Sequence, residues 1–162
     1  MDDAELRRIF DDPVSQDLLH SPALARMAYL GKDGGPRVVP VGYLWDGTAF
    51  IVCTATNAPK VKALTDRPAV ALTVDTETFP PHVLLVRGTA SVDIVDGVPD
   101  EFLAASAKAV PEDQLVDFEA QARSTYPAMA RIRIAPRWAK VLDFETRLPK
   151  AVEHLAFGET DV

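Results

Sequence analysis

Asp46-Gly47 stands between two apolar runs, RVVPVGYLW (37–45) and TAFIVCTA (48–55). Asp-Gly is among the strongest short-range hairpin signals, because a tight turn needs positive φ and these residues tolerate it. Upstream, ALARMAYL (23–30) runs into GKDGGP, a turn-rich link, so three sequential antiparallel strands are expected. A doubly wound parallel sheet would need a helix after nearly every strand, and this chain does not supply them. Further along, AVALTVDT (69–76) and VLLVRGTASVDIV (83–95) read as strands, the second bent or bulged at Gly88. Asp96-Gly97 turns the chain again. AMARIRIA (128–135) and RWAKVLDFE (137–145) are the last extended segments, with Ile132, Ile134 and Trp138 as inward positions.

The helical segments are short. Residues 3–20 carry Leu6, Ile9, Phe10, Val14, Leu18 and Leu19 at helical spacing, and Pro13 divides them into two helices. Residues 99–125 read as two more, parted at Pro111. The expectation is a mainly β fold with short helices, about six antiparallel strands closed into a small barrel, as a single domain over residues 1–162.

Charge and cysteine content restrict the chemistry. A net charge of −7 argues against duplex nucleic acid or an anionic membrane as partner, since both require a basic face. Cys53 is the one cysteine, so neither an internal disulfide nor a cysteine-rich zinc site is available. His20, His82 and His154 are widely separated and lack metal-ligand spacing, so no metal site is expected. The opening MDDAELRRIFDD lacks the basic start and apolar run of a signal peptide, and no apolar run reaches membrane-span length. A cytoplasmic protein is expected.

Against that acidic background TATNAPKVKALTDRP (54–68) is unusual. It reads as a helix with Asn57 as N-cap, Pro59 in the first turn and Pro68 as its stop. Helix N-termini favour acids, yet Lys60 and Lys62 open this one and Asp66 lies near its end. Two readings stand on residues alone. The lysines are solvated surface groups, or an anion sits at the helix start. In the second reading Thr54, Thr56 and Asn57 add donors, and Arg37 reaches the same place if its strand lies beside 48–54. Tyr43, Trp45 and Trp138 are candidates to line a planar ligand, or else ordinary half-buried aromatics. Tyr43, Trp45, His82 and Arg87 are candidate cleft residues. The catalytic residues are unknown.

The order of these pieces resembles the pyridoxamine 5′-phosphate oxidase-like superfamily of flavin-binding split barrels. The resemblance is carried by RVVPVGYLWDGTAFIVCTATNAPKVKALTDRPAVALTV and the later VLLVRGTASV. It implies a six-stranded antiparallel split β-barrel and a homodimer with FMN, or the deazaflavin coenzyme F420, in a cleft between subunits. It also implies that Arg37, Thr54 and Lys60 hold the cofactor phosphate and that the backbone at Val38 and Val39 faces the ring; Lys62 is a further cofactor-binding candidate from its place in the helix alone. Members that oxidise pyridoxamine phosphate have a basic residue before the helix lysine, where this chain has Pro59. They also carry a late Arg-x-His pair, whereas RIRIAPRWAKV contains no histidine. The implied activity is therefore a flavin-dependent oxidoreductase acting on a small molecule other than pyridoxamine phosphate. A deazaflavin-dependent reductase and a non-catalytic flavin or tetrapyrrole carrier are the alternatives.

Overall fold

The computed structural model describes residues 1–157; the last five residues of the expected domain, 158–162, and the side chains of His154, Ala156 and Phe157 lie outside the described residues. Among the described residues seven strands form one antiparallel sheet, where six were expected. The strands are β1 (Ala25–Leu30), β2 (Pro36–Val41), β3 (Leu44–Trp45), β4 (Phe50–Ala55), β5 (Ala69–Asp75), β6 (Val83–Asp96) and β7 (Ala128–Leu142), in the order β2-β1-β5-β6-β7-β4-β3. The sheet does not close by hydrogen bonding, so the closed barrel is corrected to an open, curled sheet with β2 and β3 at its edges. Val41 of β2 and Phe50 and Val52 of β4 nevertheless share one apolar core with Leu72, Leu84, Ile132 and Ile134.

The departure from six strands has a local cause. The run 37–45 breaks at Gly42-Tyr43, because Tyr43 turns wholly into the core and its hydroxyl donates to the Leu18 carbonyl at 3.0 Å. The chain crosses there from one sheet edge to the other. The hairpin around Asp46-Gly47 forms as expected, with Leu44 opposite Ile51 and Gly47 at positive φ. However, β2 pairs with β1 and has no pairing with β4. The two final segments are one strand, β7. Gly88 of β6 lies opposite Pro136, and a register shift between Arg87 and Gly88 absorbs Arg137. A methyl group on Gly88 would lie 2.7 Å from the Ala135 carbonyl oxygen, so the strands can approach this closely only at glycine.

Helices α1 (Asp3–Phe10) and α2 (Pro13–His20) divide at Pro13, and Asp2 and Asp12 cap them. They bring Phe10, Leu18 and Leu19 onto the core. Helix α3 (Pro59–Asp66) links β4 to β5 and buries Ala63 and Leu64. Helices α4 (Asp100–Ala107) and α5 (Leu115–Thr125) lie between β6 and β7, the latter entered through a short 3-10 turn at Glu112–Gln114. They build a second, smaller apolar cluster from Val98, Ala122 and Met129, against which Cys53 and Phe102 pack. Helix α6 (Lys150–Phe157) ends the described chain. No helix among the described residues is long and apolar enough to cross a membrane.

Candidate functional site

The strand-to-helix link after β4 is a tight turn in which the Ala58 N–H donates to the Ala55 carbonyl at 3.0 Å. That turn consumes Asn57. The N-cap is therefore Ala58, one residue later than expected, and no side chain caps α3; Pro59 follows at the first helical position. The misplaced charges of the helix then separate into two cases. Lys62 is exposed and pairs with Asp66 at 2.9 Å, one turn on. Lys60 is half-buried, and among the described residues no carboxylate neutralises it; burial alone pushes its amine below the usual lysine range.

Arg37 comes beside α3 through the β1–β2 turn, and not through a strand next to β4. It opens β2 opposite Tyr29 of β1 and enters a cleft of about 610 Å³ beside the helix. Pro59, Lys62 and Ala63 form the helix side of that cleft, and Lys32, Asp33 and Arg67 complete its polar lining. The glycine-rich turn makes room for the guanidinium: methyl groups on Gly31 or Gly35 would lie about 3 Å from Arg37 atoms. Arg37 donates to Asp33 at 2.7 Å, and this hydrogen bond, aided by the Gly35 N–H, holds the Asp33 carboxyl below its ordinary range. Arg67 donates to the Gly31 carbonyl at 3.0 Å.

The structure thus brings Arg37 together with Lys62. Lys60 and Thr54 do not line that cleft. Thr54 is half-buried at the end of β4, opposite Ala130. Val38 is 67% exposed on the outer face of β2, and Val39 packs against the core. The free edge of β2 leaves backbone polar groups without a strand partner among the described residues. Lys32 and Arg67 were not anticipated in the sequence. Arg67 sits at a helix C-terminus, where a cation needs no ligand to explain it.

The other candidates do not converge. Trp45 stacks on Phe10 with centroids 4.5 Å apart, Tyr43 is in the core, and Trp138 lies under the Arg87 guanidinium at 4.4 Å. His82 is in the loop before β6, where its backbone N–H donates to the Thr76 hydroxyl at 2.9 Å.

The family model described as pyridoxamine 5′-phosphate oxidase matches residues 12–143. This chain belongs to the pyridoxamine 5′-phosphate oxidase family. Solved structures share the fold. One named F420 reductase is 24% identical, with a TM-score of 0.59 over 77% of this chain and 94% of that one. The conserved hypothetical protein Rv2991 of Mycobacterium tuberculosis is 16% identical, with a TM-score of 0.60 over 100% of this chain and 92% of that one. A heme-binding protein of Mycobacterium smegmatis is 17% identical, with a TM-score of 0.58 over 84% of this chain and 55% of that one. No curated protein is a significant sequence match. The pyridoxamine 5′-phosphate oxidase match spans every strand and α3, so β2, the glycine-rich turn and the Lys60 helix all lie within it.

Proposed function

We propose that the protein is a flavin-binding oxidoreductase that holds FMN by its phosphate at the start of α3 and transforms a small organic molecule. The observation that carries this reading is Lys60. A half-buried ammonium without a carboxylate, at the positive end of a helix lacking a side-chain cap, is stabilised by an incoming anion. Lys60 and Thr54 would hold the phosphate from the strand-helix link, with Arg37 reaching it on leaving Asp33. The unpaired edge of β2 at Val38 and Val39 offers backbone donors and acceptors to the ring. Bound flavin supplies the hydride or electron-pair chemistry, while the protein supplies orientation and electrostatics.

We further infer a homodimer, in which a second copy covers the exposed β2 edge and completes the cleft. The absence of an Arg-x-His pair near the C-terminus points away from pyridoxamine phosphate as substrate. One observation favours deazaflavin F420 as a second reading. Lys32, Arg37, Lys62 and Arg67 face one cleft against Asp33 and Asp66, a local cation excess suited to a cofactor with an acidic tail.

The test is reconstitution of the purified protein with FMN, F420 or haem, followed by absorbance. A bound flavin spectrum, with no peroxide released when pyridoxamine phosphate is added, is the expected result. Exclusive F420 binding would establish the second reading, and a Soret band with no flavin uptake would replace both with a tetrapyrrole carrier.

A further inference from the structure

A second cavity, of about 280 Å³, lies between α4, α5 and the sheet, away from the α3 cleft. Its walls are largely apolar, with Leu24, Phe102, Ala105, Val110 and Phe118 among them. Most of its polar side chains are already committed. The Tyr43 hydroxyl donates to the Leu18 carbonyl at 3.0 Å, and the Ser106 hydroxyl donates to the Phe102 carbonyl at 2.8 Å. Burial pushes the Cys53 thiol up to about 12, which keeps it neutral.

Lys108 is different. Its ammonium lies 3.7 Å from the centroid of the Tyr43 ring and makes one long hydrogen bond, 3.4 Å, to the Leu19 carbonyl. Among the described residues no carboxylate pairs with it, and burial lowers its amine to about 8. An ammonium has three donors, and this one lacks strong partners for them. The wall of an apolar cavity is an expensive place for such a group unless something charged completes it.

We propose that this cavity binds a small apolar carboxylate, whose oxygens pair with Lys108 and whose hydrocarbon part packs against Phe102, Ala105 and Phe118. A single ammonium matches one carboxylate. A phosphate dianion would need a further array of donors, and this wall does not provide it.

The probes are benzoate and its uncharged isostere benzamide, titrated into the whole protein by amide chemical-shift mapping. Benzoate should shift the signals of Phe102, Ala105 and Phe118 and bind at least tenfold more tightly than benzamide. In Lys108→Met that preference should vanish, with benzamide affinity and FMN affinity unchanged. Filling the cavity with Ala105→Phe should abolish both probes without touching Lys108. The proposal is overturned if millimolar benzoate leaves these signals unmoved, or if Lys108→Met keeps the preference for benzoate. Loss of FMN binding with benzoate binding intact would count against the flavin reading alone.

Discussion

Two residues set local structure strongly enough for single substitutions to be decisive. A methyl group at Gly88 would enter the contact distance of a backbone carbonyl, which cannot swing aside as a side chain can. Gly88→Ala should therefore cost about 1–3 kcal/mol through overpacking. At this chain length each kcal/mol lowers the melting temperature by about 2–4 °C. An unchanged melting temperature would show that β7 yields at no cost. Asp143 is buried and accepts hydrogen bonds from the Thr146 hydroxyl, the Arg147 guanidinium and the backbone N–H groups of residues 145–147. Burial by itself would raise its pKa, but these donors outweigh it and hold the carboxyl well below the usual range. Its stabilisation is then fully present above the unfolded value of about 3.9 and is lost as pH falls below it. Asp143→Asn should destabilise by roughly 1–3 kcal/mol at pH 7, and the gap from the parent should narrow in acid. A gap constant down to pH 2 would contradict the ionised assignment.

At the scale of elements, much was legible and the exceptions have identifiable causes. The hairpins at GKDGGP and Asp46-Gly47, the break at Pro13 and the irregularity at Gly88 follow from backbone chemistry that a short window contains. The split of 37–45 depends on a hydrogen bond from Tyr43 to Leu18, 25 positions away, and no local pattern announces it. The continuity of β7 through Pro136 is equally non-local, since it requires Gly88 opposite. The candidate site divides in the same way. Lys60 was visible as a charge in the wrong place on a helix. Lys32 and Arg37 come to α3, whose own C-cap is Arg67, by tertiary approach of the β1–β2 turn. The two lysines of α3 should respond differently in the ligand-free protein. Lys60→Ala removes an unpaired cation from a helix start and should be neutral or stabilising by about 0.3 kcal/mol. Lys62→Ala loses the pair with Asp66 and should cost about 0.2–0.5 kcal/mol. Denaturant melts of both variants test this, and a clear loss for Lys60→Ala would mean that its charge is already neutralised within the protein.

At the scale of the molecule, family membership accounts for the fold, while function rests on whether the anion-ready helix and the open β2 edge are completed by a cofactor and a second copy. A symmetric dimer should bury on the order of 1,600 Å², and light scattering at micromolar concentration should report twice the chain mass of 17.6 kDa. A monomer would remove the shared cleft. The most direct test of the account is a comparison of FMN with riboflavin, which differ by the phosphate, titrated into the parent and Lys60→Ala by flavin fluorescence. A charge-assisted hydrogen bond is worth about 1.5–3 kcal/mol, so Lys60→Ala should weaken FMN binding by about ten- to a hundredfold and leave riboflavin unchanged. If the substitution weakens both ligands equally, or neither, Lys60 does not hold the phosphate.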